Sequence, residues 1–462
     1  MLGAQRVRKP WLRQLVRKVP QPAVNDWTAT RLVEINVGEP IPALEAEGFS
    51  TALVLATLHG QPLGTVEVDL TSGPVAAPAL ATILQRQVGG AVAAHRDLHG
   101  CVTDYPAIQS TPPRCLRELQ PSGTAPLVSV VVPTRDRADQ LATCLHSVLD
   151  VDYPNFEVIV VDNAPSDDST QFLVRRQFAN DPRVRYVKES RAGASLARNV
   201  GAEAGRGEFV AFTDDDVVVN RLWLKGLVAG FDDPKTAVVT GLTLPARLDT
   251  PAQEAFELYG GMGRGYSRRV YDLAQQRGDT LLYPYTAGVF GASNNVAFRR
   301  QLFVDRGGFD LSLGPGTPAF AAEDLDAFLS VILDGYQIVY EPRAMLRHDH
   351  RQDFADLYWQ VFTYSAGLTA LLTKWALSDA AVAGDLARRL PRLLPAALVK
   401  AHRSGAEAGV GEYPAQLRWL ERAGYLYGPI AYLRSRLRGT PAKSRRAVVA
   451  GSAAVASKGE GR

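Results

Sequence analysis

Hydrophobic and polar positions along the chain change their period several times, and each change predicts an element. Leu127-Val128-Ser129-Val130-Val131-Val132 is a nearly unbroken β-branched run, the pattern of a strand buried on both faces of a parallel sheet. Pro133 ends it, and Leu141, Leu145 and Val148 then recur on one face of a helix. Phe156 to Val161 repeats the strand pattern until Asp162-Asn163-Ala164-Pro165 breaks it. A helix including Phe172 and Leu173 leads to Val184-Arg185-Tyr186-Val187. A Gly/Ala/Ser/Arg loop and helix over 191–205 then leads to the strand Glu208-Phe209-Val210-Ala211-Phe212. This β-α-β-α order predicts an α/β doubly wound sheet over about 127–350.

Upstream, Val33-Glu34-Ile35-Asn36-Val37 alternates like a strand. Thr51 to Leu58 and Gly64 to Leu70 flank His59-Gly60-Gln61-Pro62-Leu63, a hairpin connection, and Pro78 opens an apolar helical stretch to about His95. The expected organisation is a basic arm over 1–27, a small N-terminal α+β domain over 28–110 and a Pro/Ser/Gly/Thr-rich linker over 111–126. After the α/β unit come a C-terminal helical region over 351–440 and a disordered tail over 441–462. Leu357 to Thr373 is too short and too interrupted for the roughly 20 apolar residues a bilayer demands, so it reads as an amphipathic or core helix.

At 462 residues the chain is too long for one core, and its net charge of +3 is unevenly placed. Arg6, Arg8, Lys9, Arg13, Arg17 and Lys18 crowd the first twenty residues, and Arg388, Arg389, Arg392, Arg434, Arg436, Arg438, Arg445 and Arg446 follow Ala381. Such basic ends suit solubilising arms or an anionic partner, including a peripheral contact with anionic membrane. Cys101, Cys115 and Cys144 have no metal-ligand spacing and fit a reducing compartment. No apolar core follows the basic N-terminus, which argues against a signal peptide and for a cytoplasmic location.

Candidate chemistry gathers where strands end. Phe212-Thr213-Asp214-Asp215-Asp216 puts carboxylates at a strand's carboxyl end, where open α/β sheets bind ligands and where Asp214 and Asp216 can face one cation. Thr134, Arg135 and Asp162 lie at two neighbouring strand ends and offer hydrogen bonds to a base and ribose, or simply cap helices. Glu323 and Asp324 open a helix with Leu325, Phe328, Leu329 and Ile332 on one face, behind the loop Gly314-Pro315-Gly316. The helix dipole holds Asp324 ionised but weakly basic, so partial burial must compensate if it is a general base. Arg347-His348-Asp349-His350 supplies an imidazole, and a mixed carboxylate–imidazole shell favours Mn²⁺ or Mg²⁺.

The ordered set PTRDR, VDN, RAGASLARN, TDDD, GASNN, GGFD, EDLD and RHDH resembles the inverting family 2 glycosyltransferases of GT-A fold, over roughly 127–350. That resemblance implies a GT-A-type doubly wound mixed sheet, a nucleotide-sugar donor, a divalent cation and a glycan or lipid-linked acceptor at the inner membrane face, with no nucleic acid partner. By it, Thr134 and Arg135 line the nucleoside pocket, Asp162 binds the base, and Arg198 and Asn199 border the diphosphate. Asp214, Asp216 and His348 hold the metal, with His350 competing, and Asp324 is the catalytic base beside Glu323. Asn294 and Asn295 fall near sugar and acceptor. Two departures are Asp136, where many members have Asn, and Ala322, where a Gly is usual. A nucleotidyltransferase is the second reading, weakened by the lack of a glycine in PTRDR, and an inactive sugar-binding scaffold the third.

Overall fold

The computed structural model describes residues 27–100, 114–117, 119, 123–274, 282–389 and 415–438, with isolated positions between 13 and 19. The basic arm and the C-terminal tail lie largely outside the described residues.

The N-terminal residues form a three-stranded sheet of β1 (Thr30–Asn36), β2 (Thr51–Leu58) and β3 (Gln61–Asp69), in that order. The β2–β3 hairpin is tighter than the sequence pattern implies. Only His59 and Gly60 connect the strands, both at positive φ (52° and 75°), so Gln61 and Pro62 belong to β3. The helix Ala77–His99 lays Leu80, Leu84 and Val88, one turn apart, on this sheet. Within the expected linker, Arg114–Arg117 makes a helical turn and buries Cys115.

Among the described residues the second sheet has nine strands. β4 (Val128–Thr134), β5 (Phe156–Asn163), β6 (Val184–Glu189) and β7 (Phe209–Phe212) are the strands read from the β-branched runs, and they pair in parallel. Their alternate residues enter two different cores: Val131, Ile159 and Phe212 on one face, Val130, Val132 and Val158 on the other. Both faces being covered explains why the runs are continuous rather than alternating. The remaining strands are β8 (Val217–Val219), β9 (Thr236–Pro245), β10 (Arg269–Tyr271), β11 (Val296–Arg299) and β12 (Gln337–His348). The order is β10-β12-β9-β11-β7-β4-β5-β6, with β8 on β12. Because β11 runs antiparallel to β7 and β9, the sheet is mixed, and the carboxyl ends of β4, β5, β7, β9 and β12 share one edge.

Two long helices, Phe354–Ser378 and Ala415–Leu437, pack closely together. Gly424 and Gly428 make the approach possible, since a Cβ at either would meet the Phe362 or Ala366 carbonyl at 2.5 or 2.3 Å. Lys374 ties this pair to the α/β unit. Buried at 3% exposure, it bonds Asp310 (2.5 Å) and Asp326 (2.7 Å), while Trp375 Nε1 donates to Asp326 (2.9 Å).

Candidate active site

Strand register builds the acidic cluster. After β7 the chain turns through Asp214-Asp215-Asp216 and returns as β8, whose Val217 pairs with His348 at the end of β12. The Asp349 N–H donates to the Asp216 carbonyl (3.1 Å), which locks the two ends together. His348 Nε2 consequently lies 3.4 Å from Asp216 Oδ1. Asp214, Asp216 and His348 each present one ligand atom within 4.8 Å of the other two, a set able to hold a hard divalent cation.

His350 stands behind His348 rather than beside the carboxylates. The two Nδ1 atoms are 3.2 Å apart, and His350 Nε2 is 2.7 Å from Glu257 Oε1. With Glu257 accepting from His350 Nε2–H and His350 Nδ1 accepting from His348 Nδ1–H, His348 Nε2 would be free to ligate an ion between the carboxylates; without an ion, protonated His348 Nε2 is placed to donate to Asp216. A ligating imidazole is ordinarily oriented by such an outer hydrogen bond.

Two arginines hold the acids. Arg137 Nη1 reaches Asp216 Oδ2 (3.0 Å) and Asp215 Oδ1 (3.1 Å), and Thr134 Oγ1 donates to Asp215 Oδ2 (2.7 Å). Burial lifts Asp215 to about 6 despite these partners. Asp216 differs: burial alone would raise it, but His348 and then Arg137 hold it below the ordinary carboxylate range. Buried Arg198 spans Asp214 Oδ1 (2.6 Å) and Glu323 Oε1 (3.0 Å), so it joins the acidic turn to the Glu323–Leu333 helix.

Asp324 sits in the first turn of that helix. Its Oδ2 accepts from the Ser293 N–H (3.0 Å) and its Oδ1 from the Leu325 N–H (2.8 Å). Burial outweighs both donors and raises its pKa, the compensation that a helix-end base requires. Glu323 is raised as well, by burial first and by Asp324 second, with Arg198 opposing. The preceding loop is fitted to this pair: a Cβ on Gly314 (φ 89°) would come within 2.5 Å of Ser195 Oγ and 2.9 Å of Glu323 Oε2. Ala322 adopts φ 81° and so makes the left-handed turn without a glycine.

One strand over, Asp162 is fully buried. Its Oδ2 accepts from the Tyr186 hydroxyl (2.7 Å), while its Oδ1 has no hydrogen-bond partner. Such an orphaned acceptor invites a ligand N–H. Arg135 extends half-exposed from the neighbouring strand end, with Nε 3.6 Å from Asp136 Oδ2. Asp136 at φ 56° uses Oδ1 to accept from the Ser166 N–H (2.8 Å).

Two expectations need correction. Asn295 faces the core, donating to the Leu242 (3.0 Å) and Ala344 (2.9 Å) carbonyls and accepting from Trp223 Nε1 (2.9 Å), which leaves no amide proton for a sugar. Thr134 is buried and spends its hydroxyl on Asp215 rather than on a nucleoside pocket. Asn294 is also buried, its Oδ1 3.4 Å from Thr243 Oγ1. Asn199 bonds the Phe309 N–H and carbonyl (2.7 and 2.9 Å), which anchors the Gly307–Asp310 loop. Arg137, Tyr186 and Glu257 were not singled out from sequence. Arg137 closes the PTRDR motif, whereas Tyr186 and Glu257 look like ordinary strand and helix residues.

Residues 129–302 match the family model for glycosyl transferase family 2. These residues form a family 2 glycosyltransferase domain. The chain is similar to the pre-mycofactocin glycosyltransferase of Mycobacterium tuberculosis, 29% identical over 235 residues, 50% of this chain and 44% of that protein. It therefore spans less than half of that relative. The glucosyl-dolichyl phosphate glucuronosyltransferase of Haloferax volcanii is 25% identical over 267 residues, 54% of this chain and 80% of that protein. A putative teichuronic acid biosynthesis glycosyltransferase of Bacillus subtilis is 39% identical over 92 residues, 20% of this chain and 36% of that protein. Among solved structures, a mannosyltransferase from Pyrobaculum calidifontis in complex with GDP-Man and Mn²⁺ aligns with a TM-score of 0.41 and 20% identity, over 74% of this chain and 86% of that one. The family 2 domain carries the GT-A-type mixed sheet that the motif order implied.

Proposed function

We propose that this chain is a metal-dependent inverting glycosyltransferase that moves a sugar from a nucleoside-diphosphate sugar to an acceptor hydroxyl. The observation that carries the reading is the meeting, at one sheet edge, of the Asp214–Asp216–His348 set with a half-buried Asp324 whose pKa is raised. Arg198 links the two by bonding both Asp214 and Glu323. The donor set of two carboxylates and one imidazole fits Mn²⁺ or Mg²⁺. Such an ion, when bound, neutralises the charge of a departing diphosphate.

The chain's own groups do the rest. Asp162 Oδ1 accepts a base N–H, and Arg135 lies on the solvent side of the same strand ends. Asp324 takes the proton of the acceptor oxygen as that oxygen attacks the anomeric carbon, and the bond to the diphosphate oxygen breaks on the opposite face. A single displacement with a single base inverts the stereocentre, the same geometric logic that divides inverting from retaining glycosidases. Asp324→Asn is expected to retain donor binding and lose about 10²–10⁴-fold in turnover. Near-normal turnover in that variant would place the base elsewhere.

The acceptor we infer is a glycan or lipid-linked precursor at a membrane surface. Among the described residues no helix is long and apolar enough to cross a membrane. The Ala415–Leu437 helix nevertheless exposes Trp419, Leu426, Ile430, Leu433 and Leu437, spaced along one face, with Arg422, Arg434, Arg436 and Arg438 also exposed. An apolar stripe flanked by cations suits the interface of an anionic bilayer. The Haloferax relative, named for a dolichyl phosphate substrate, is in keeping with a lipid-linked acceptor.

A further inference from the structure

We propose that the N-terminal residues hold a second metal site, a zinc centre built from His59, His95 and Cys115. The three come from three elements: the tip of the β2–β3 hairpin, the last turns of the Ala77–His99 helix, and the turn Arg114–Arg117. His59 Nδ1 lies 3.4 Å from His95 Nε2, and Cys115 Sγ lies 3.3 Å from His59 Nδ1. All three ligand atoms fall within 4.8 Å of one another. Zn–N bonds of about 2.0–2.1 Å and a Zn–S bond of about 2.3 Å in a tetrahedron require N···N near ~3.4 Å and N···S near ~3.6 Å. The two separations that involve His59 are already close to those edges.

The environment fits a closed structural site. Cys115 and His95 are buried and His59 is half-buried, so the ion would be shielded from solvent on most sides. His99 follows His95 by one turn, with ring centroids 4.8 Å apart, and offers an imidazole for a fourth position. The donor chemistry separates this centre from the acidic one. One thiolate and two imidazoles favour zinc, whereas the carboxylate-rich set at the sheet edge favours Mn²⁺ or Mg²⁺. The hairpin places His59 at φ 52°, a backbone state that Asn, Asp and His enter more readily than other non-glycine residues.

Its consequence is architectural. A Cβ on Gly60 would lie 2.2 Å from Leu222 Cδ1, so the hairpin tip presses on the family 2 domain just after β8. Tyr266 Oη bonds Thr65 Oγ1 (3.0 Å) close by. An ion joining His59, His95 and Cys115 fixes this tip, the helix end and the turn ahead of β4 as one unit, and so sets how the first sheet meets the second.

The test uses the full chain, stripped with a chelator and titrated with Co²⁺ while absorbance is followed. One equivalent is expected to give a thiolate-to-cobalt charge-transfer band that added Zn²⁺ abolishes. The band is expected to vanish in Cys115→Ser and to persist in Asp216→Ala, since the acidic set has no sulfur. Cys115 is buried, so His59→Asn, which keeps the thiol and suits the left-handed turn, is the second arm. It should weaken Co²⁺ binding by at least the roughly 10-fold that loss of even an outer partner costs. Absence of a sulfur band in the unaltered chain, its survival in Cys115→Ser, or unchanged Co²⁺ affinity in His59→Asn would each overturn the proposal.

Discussion

At the scale of single residues, charge pairing decides which acids stay ionised. Asp216, beside His348 and Arg137, is held low, while Glu323 and Asp324 are raised because burial exceeds the help from Arg198 and backbone donors. A carboxyl whose pKa is higher folded than unfolded favours the fold when protonated, and that contribution is lost as pH rises towards its folded value. For Glu323 the window runs from its ordinary 4.5 to about 7. In chelator, thermal melts of the chain are expected to show stability declining across this window relative to Glu323→Gln, which has no proton to lose. Parallel pH profiles for the two proteins would show that Glu323 titrates normally. Sequence marked Asp214, Asp216, Asp324 and His348 as candidates because each lies in a motif at an element's end. It could not reveal that Asn295 points inward, since the amide's partners come from β9, β12 and Trp223, all distant along the chain.

At the scale of elements, β4 to β7 were legible because strands buried on both faces read as continuous apolar runs. The other half of the sheet was less so. β8, β10 and β11 have three or four residues each, too short for any period, and β12 bends between Glu341 and Met345 where its pairing to β9 shifts. His59, His95 and Cys115 were equally hidden, because 36 residues separate the first two and 56 the first and third. The helix that carries Asp324 is held by a buried charge cluster two residues further on, Asp326 with Lys374 and Asp310. Removing the cation leaves two buried carboxylates uncompensated, so Lys374→Ala is expected to cost about 3–5 kcal/mol in guanidinium unfolding. A loss of less than about 1 kcal/mol, the range of exposed pairs, would show that the cluster does not dock this helix.

At the scale of the whole molecule, two sheets and a helical pair put the acidic edge and the exposed stripe of the Ala415–Leu437 helix on one chain. The full protein is expected to float with anionic vesicles at low salt and to release as salt shortens the Debye length towards roughly 8 Å. Leu426→Glu combined with Ile430→Glu should leave it in the soluble fraction, and flotation equal to the parent would discharge the stripe from that role. The sheet edge itself is tested most directly by titration calorimetry of UDP and GDP with and without Mn²⁺, on the parent chain and on Asp216→Ala. Binding of one nucleotide that requires Mn²⁺ and disappears in Asp216→Ala is the predicted result. Equal affinity without the ion, or in the variant, would contradict a metal-held donor at Asp214, Asp216 and His348.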